Sequence, residues 1–131
     1  MNVIKICYNA KHMLSQQFRF HGHGSLKFVY RNGQATRCHL MTLKTTPNPR
    51  RTVSRCSVVV SKKISKSAVV RNRIRRRVYE LVRTHLPHIQ APHDIVIIIS
   101  HAEVATIAHQ ELADVLHEQL FQAGILPSPL A

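Results

Sequence analysis

The fold is decided by three consecutive segments: RCSVVVS (residues 55–61), SAVVRNRIRRRVYELVRTHL (residues 67–86) and DIVIIIS (residues 94–100). The first and third are short and rich in β-branched residues, which predicts strands buried on both faces. In the second, apolar residues recur with a period of 3.6 and Pro87 follows, which predicts a helix over residues 67–86. A strand, a helix and a strand in this order predict a βαβ unit with parallel strands.

The segments on either side of this unit complete a small α/β sandwich. Ser25 is the predicted N-cap of a short amphipathic helix that ends near Gly33. Residues 37–45 suit a strand. Thr106 is predicted to cap a last helix, with Gly124 at its end. The chain of 131 residues is long enough for one domain with a modest core.

Charge is distributed very unevenly along the chain. The formal net charge is +13, but residues 1–86 contain all 19 Lys and Arg residues and one acid, Glu80. Residues 87–131 contain no Lys or Arg and five acids. Such repulsion favours a polyanionic partner, and phosphate backbones are the commonest one. No apolar run reaches the roughly 20 residues of a membrane span, and the first residues lack a signal-peptide pattern, so we expect a cytosolic protein.

The cysteines and histidines do not predict a metal site or a disulfide. Cys7, Cys38 and Cys56 are odd in number and contain no CxxC pair, so free thiols or small buried side chains are expected. Of the ten histidines, His21 and His23 lie closest in sequence. No Cys/His pairs show the spacing that zinc sites use, so solvated or RNA-facing histidines are expected.

The helix over residues 67–86 carries a basic surface. Asn72, Arg73, Arg76, Tyr79 and Arg83 are predicted opposite the apolar stripe, with Arg71, Arg75 and Arg77 on its flanks. Three lysines, Lys62, Lys63 and Lys66, precede the helix, whose N-terminus adds free N–H donors suited to phosphate. A merely solvated face is the alternative, but such faces normally mix both signs of charge. The pattern therefore favours nucleic acid without choosing between RNA and DNA.

Two motifs at this strand-to-helix junction resemble a known family. VSKK (residues 60–63) and AVVRNRIRR (residues 68–76) are similar to the V-S-K-K and A-x-x-R-N-R-[IV]-[KR]-R signature of the bacterial ribonuclease P protein component. Weaker similarity covers residues 19–123. The resemblance implies an N-terminal extension (1–18), an RNA-binding domain (19–123) and a C-terminal tail (124–131).

The resemblance also implies the fold and the role. The fold would be an α/β (α+β) two-layer sandwich, with a four-stranded mixed sheet, about three helices and a βαβ crossover, related to a ribosomal-protein fold. The protein would be a monomer, one per catalytic RNA, assisting removal of the 5′ leader of precursor tRNA. That chemistry would belong to the RNA subunit with Mg²⁺, held mainly by the RNA and the substrate. No catalytic residue is expected in the protein, and its metal ligands are unknown.

Two binding surfaces follow from the resemblance by position. The predicted contacts to the catalytic RNA are Lys62, Lys66, Arg71, Asn72, Arg73, Arg75 and Arg76. The predicted lining of the leader cleft is Leu26, Tyr30, Lys63, Ala68 and Arg71. This chain departs from the family pattern at three positions: Leu26 replaces an aromatic residue, Thr42 stands where some members have Tyr, and Tyr79 where another Arg is common.

Three other functions fit part of the sequence. A ribosomal RNA-binding protein explains the charge but not the motif spacing, and it would co-purify with ribosomal subunits. A self-sufficient nuclease would need carboxylates in the basic region, where Glu80 stands alone. Binding to a membrane surface would need bulky apolar residues on a helix whose apolar face is required for the core.

Overall fold

The computed structural model describes residues 23–89 and 91–127. The predicted N-terminal extension, residues 1–18, lies outside the described residues. The elements are α1 (His23–Asn32), β1 (Gln34–Arg37), β2 (Met41–Pro47), β3 (Arg55–Val59), α2 (Ala68–His85), β4 (His93–Ile99) and α3 (His109–Gln122). Short 3₁₀ turns at Leu86–His88 and Ala102–Ala105 follow α2 and β4.

The four strands form one mixed sheet in the order β1-β2-β4-β3. β2 is antiparallel to both β1 and β4. β3 is parallel to β4, with Arg55 beside Asp94 and Val59 beside Ile98. Because β3 and β4 are joined through α2, the predicted βαβ unit and the mixed sheet are confirmed.

Helices cover both faces of the sheet. Side chains alternate between the faces along a strand, so Leu43, Ile95 and Ile97 lie together on one face, where they are buried with the apolar residues of α2 and α3. Val96 belongs to the other face and is buried with Val29 of α1. The main core therefore lies between the sheet and the helices α2 and α3.

Tyr79 fixes the position of α2 on the sheet. Its ring is only 6% exposed, and its hydroxyl accepts a hydrogen bond from the Val58 amide at 3.0 Å. Val58 lies in β3, at the edge of the sheet, where no further strand can accept a hydrogen bond from its amide. The Tyr79 hydroxyl therefore takes the place of a strand partner. The prediction that Tyr79 lies opposite the apolar stripe was wrong, since the stripe is wide enough to include it beside Val78.

A buried ion pair joins β3 to β4 and to the loop before β3. Arg55 donates to both carboxylate oxygens of Asp94, at 2.9 and 2.8 Å, and both side chains are nearly buried, at 12% and 11% exposure. Asn48 Nδ2 donates to the same carboxylate at 3.0 Å. This two-pronged geometry gives directional, charge-assisted hydrogen bonds and holds the β2–β3 loop against the sheet.

The predicted single strand over residues 37–45 is a hairpin. β1 ends at Arg37 and β2 begins at Met41, and the Cys38 amide donates to the Met41 carbonyl at 2.9 Å. The turn contains no Gly, Asn, Asp or Pro, the residues that usually mark a turn in a sequence. Composition alone therefore could not separate the two strands.

Two predicted helix caps were wrong, and one helix end was right. α1 begins at His23, so Ser25 is inside the helix. Thr106 ends the preceding 3₁₀ turn, and Ala108 is the residue before α3. Gly124 has a φ of +82°, the left-handed conformation that ends many helices. The core continues into the predicted tail with two buried residues, Ile125 and Leu126.

Burial keeps two ionisable groups inside the fold, Cys56 and His85, in their neutral forms. Cys38 and Cys56 are both free thiols, as predicted, and burial raises the pKa of Cys56. Burial, and then the neighbouring His117 and His88, lower the pKa of His85 to about 4. His85 thus packs on α2 as a neutral ring.

None of the helices among the described residues is long and apolar enough to cross a bilayer.

We expect Tyr79→Phe to lower the free energy of unfolding by about 1–3 kcal/mol, because it leaves a buried amide without its partner. Urea unfolding followed by circular dichroism measures this change. RNA affinity should stay unchanged when the folded variant is tested. A loss of RNA affinity without a loss of stability would instead place the tyrosine at the RNA surface.

Candidate nucleic-acid interface

The predicted contacts to the catalytic RNA form one basic surface. It comprises the β3–α2 connection and the first half of α2: Lys62, Lys66, Arg71, Asn72, Arg73, Arg75 and Arg76. Five of them are exposed, whereas Arg71 and Arg75 are partly buried. Most of these cations are therefore available to phosphates.

Hydrogen bonds organise the connection that leads into α2. Ser67 caps the helix, since its hydroxyl accepts a bond from the Val70 amide at 3.3 Å. Ser65 accepts a bond from the Ser67 amide at 3.2 Å through its hydroxyl, and a bond from Arg71 Nη1 at 2.9 Å through its carbonyl. Arg71 thereby ties the first turn of α2 to the loop, which holds Lys62 and Lys66 beside the helix N-terminus.

The first half of α2 also orders one of its own cations. Arg75 Nη1 donates to the side-chain carbonyl of Asn72 at 2.8 Å, across one turn of the helix. Arg73 and Arg76 are exposed and point away from the buried stripe. Guanidinium groups bind phosphate through two N–H groups at once and also stack on bases. This half of the helix can therefore bind phosphates and also stack on bases.

The second half of α2 uses its arginines for the fold. Arg77 donates to the carbonyls of Val104, at 2.7 Å, and Ile107. Arg83 pairs with Glu80, and its side chain is only 13% exposed. The prediction that Arg83 lies on the exposed face was wrong. The basic surface therefore ends near Arg76.

The predicted leader cleft has an apolar floor. Leu26 and Tyr30 are partly buried on one side of α1, where they pack with Val59 and Ile98 of the sheet. Thr42 pairs with Ile98 and so lies on the same sheet face. The structure places these residues on one face of the sheet, and their role in binding a leader stays a prediction. Lys63, Ala68 and Arg71 lie beyond the end of β3, and their part in the cleft stays a prediction.

A lysine on β2 supports the tyrosine of this cleft. Lys44 Nζ donates to the Tyr30 carbonyl at 2.8 Å and lies 5.8 Å from the centre of its ring. That distance is within the range of a cation–π interaction. Burial raises the pKa of Tyr30, so the phenol stays protonated at neutral pH. The ring is thus a fixed, neutral surface beside a cation, which suits base stacking.

Sequence reasoning missed a second cleft, on the other side of α1. It has a volume of about 570 Å³ and is lined by Phe28, the loop residues Arg50 and Arg51, and the Arg55–Asp94 pair. Phe28 is 55% exposed. Phe28 lies outside the apolar stripe of α1. An aromatic residue in that position, with a basic loop later in the chain, could have indicated this cleft from the sequence.

These features define a small α/β protein with an exposed basic surface of the kind that binds nucleic acid. The model of the ribonuclease P family matches residues 14–124 of the chain. The chain belongs to the ribonuclease P protein family. A ribonuclease P protein component from Chloroflexus aurantiacus is 38% identical over 101 residues, which cover 77% of this chain and 73% of that protein. One from Roseiflexus castenholzii is 46% identical over 70 residues, covering 53% of this chain and 56% of that protein.

Solved structures of the same family share the fold. An RNase P protein from Staphylococcus aureus matches with a TM-score of 0.75 and 24% identity, over 84% of this chain and 98% of that one. The protein from Thermotoga maritima matches with a TM-score of 0.66 and 20% identity, over 79% of this chain and 92% of that one. The predicted fold class is confirmed by these likenesses.

We expect the double substitution Arg73→Ala with Arg76→Ala to weaken RNA binding and to leave the fold intact. The logarithm of the association constant falls linearly with the logarithm of the salt concentration, and removing two phosphate contacts should make this slope shallower by about 2. Filter binding to a ribonuclease P RNA at several salt concentrations measures both effects. The matched control is Arg31→Ala with Arg37→Ala, which removes two exposed charges outside the basic surface. Equal losses for both variants would contradict a localised interface.

Proposed function

We propose that this protein binds the catalytic RNA of ribonuclease P through the first half of α2, and the 5′ leader of precursor tRNA in the cleft beside Tyr30. As a member of its family, the chain is the protein subunit of ribonuclease P, acts in tRNA processing and has an RNA partner. The proposal adds one protein per RNA and a cytoplasmic location. The observation that carries it is the exposed pair Arg73 and Arg76 on α2, next to the loop that contains Lys62 and Lys66.

In this proposal the RNA subunit carries the chemistry, and Mg²⁺ is held by the RNA and the substrate. Bound there, Mg²⁺ would activate water and neutralise charge on the phosphate. Two carboxylates among the described residues are already engaged, since Glu80 pairs with Arg83 and Asp94 with Arg55 and Asn48. These residues do not fit a resident Mg²⁺ site. The protein would instead contribute affinity and position for the substrate.

The leader cleft would bind single-stranded RNA with little sequence preference. Tyr30 offers a ring for stacking, whereas Leu26 offers only apolar contact where an aromatic residue is usual. Stacking contributes about 1–3 kcal/mol per base and depends little on which base is present. Cations at Lys63 and Arg71 would bind the leader phosphates. Because Leu26 leaves Tyr30 as the single aromatic ring on this side of α1, we expect weaker leader binding than in family members that have aromatic residues at both positions.

The proposed function is tested by cleavage of a precursor tRNA at low Mg²⁺. A bacterial ribonuclease P RNA is assayed with and without the purified protein, and the protein is also assayed alone. We expect the protein to stimulate cleavage at the leader junction and to show no cleavage without the RNA. Activity of the protein alone would indicate a nuclease. Tight RNA binding without stimulation, together with co-purification with ribosomal subunits, would indicate a ribosomal role.

We expect Tyr30→Ala to lower the affinity of the holoenzyme for precursor tRNA more than tenfold, with little effect on mature tRNA. The ring contacts only the leader in this proposal, and mature tRNA has none. Phe28→Ala is the matched control, because it removes a ring from the other side of α1. A larger loss with Phe28→Ala would move the leader to the second cleft, and equal losses for both tRNAs would contradict leader binding at either.

A further inference from the structure

Two histidines and a glutamate meet at the end of the sheet, outside both proposed RNA-binding surfaces. His39 lies in the β1–β2 turn, and His101 and Glu103 follow β4. One possible ligand atom from each residue lies within 4.8 Å of the other two. His39 Nε2 is 4.0 Å from a carboxylate oxygen of Glu103. The rings of His39 and His101 have their centres 4.9 Å apart.

Backbone hydrogen bonds hold these residues in place. The Ser100 amide donates to the Leu40 carbonyl at 2.8 Å, directly beyond the paired residues Met41 and Ile99. This bond fixes the β1–β2 turn beside the end of β4. Without a metal, His101 Nδ1 accepts a bond from the Glu103 amide at 3.1 Å, which starts the 3₁₀ turn that carries the glutamate. A neutral imidazole has one acceptor nitrogen, so a metal ion bound to His101 would replace this bond. The cluster is therefore part of the sheet's ordered end.

We propose that His39, His101 and Glu103 bind a divalent transition-metal ion, with Zn²⁺ as the ion that best suits the ligands. Two imidazoles and one carboxylate form a set that proteins use for zinc, leaving a fourth position for water or another ligand. With metal–ligand distances of 2.0–2.2 Å, ligand atoms in a tetrahedral site lie about 3.4 Å apart. All three side chains are exposed, so small rotations close the remaining gap.

The charge around the cluster also favours a cation. Glu103 lines a cleft of about 470 Å³ together with Glu111, Asp114 and Glu118. Four of the six acidic residues of the chain thus surround one cleft in a protein with a net charge of +13. Fields in clefts lined by one sign of charge concentrate counter-ions. Imidazole ligands select Zn²⁺ over Mg²⁺, which prefers oxygen and water.

The alternative is an ion pair between protonated His39 and Glu103, with no metal. Such an exposed pair contributes little stability, because water screens the attraction. It also does not involve His101, whereas a metal ion needs all three side chains. Single substitutions at the three positions therefore separate the two explanations.

The test is calorimetric titration of ZnCl₂ into the full-length, untagged protein freed of metal. The variants are His39→Ala, His101→Ala and Glu103→Gln. The control is His109→Ala, an exposed histidine outside the cluster. We expect one saturable site in the unmodified protein, at least a tenfold loss of affinity in each cluster variant and no loss in the control. Millimolar Mg²⁺ should not displace Zn²⁺.

Thermal unfolding gives a second readout, because an ion that binds only the folded protein raises the unfolding midpoint. We expect ZnCl₂ to raise the midpoint of the unmodified protein and of His109→Ala, but not that of the cluster variants. Circular dichroism checks that each variant folds. Absence of binding in the unmodified protein would overturn the proposal. So would unchanged affinity in the cluster variants, which would place the ion at other residues, such as His21 and His23.

Discussion

The packing of the Tyr79 ring into the core is the interaction on which the basic surface depends. The ring lies in the middle of α2 beside the edge strand β3, whose Val58 amide donates to its hydroxyl, and its burial sets the rotation of the helix about its axis. With Tyr79 buried, Ile74 and Val78 enter the core, and Arg73 and Arg76 must face solvent. A helix turned by one residue would bury guanidinium groups, at a large cost in desolvation.

The arginines of α2 thus have two different roles. Arg77 and Arg83 bond to carbonyls and to Glu80, so they satisfy polar groups of the protein itself. Arg73 and Arg76, which precede them in the helix, stay exposed. The division follows from what packs nearby, since the 3₁₀ turn after β4 contacts the later turns of α2 and supplies carbonyl acceptors. Identical residue types therefore differ in role because their neighbours differ.

The sequence predicts the elements that depend on periodicity and leaves out what depends on tertiary contacts. The strand at β4, the βαβ unit and the long helix follow from repeating apolar residues. The hairpin turn at Cys38 could not be predicted because it contains no turn-forming residue. The burial of Tyr79 could not be predicted because it depends on contact with Val58, which is distant in the sequence. His39 and His101 are distant in sequence and meet only because β2 pairs with β4. The exposed positions of Arg73 and Arg76, in contrast, follow directly from the helical periodicity.

The separation of charge along the chain gives the folded molecule an electric dipole. The acids around the cleft of Glu111, Asp114 and Glu118 form one pole, and the cations of the β3–α2 connection and α2 form the other. In the field of a polyanion this dipole experiences a torque before any contact is made. The protein would thus arrive at RNA already turned with its basic side forward, because the reverse orientation is less favourable in energy. Orientation during diffusion, and not contact alone, then contributes to the rate of assembly.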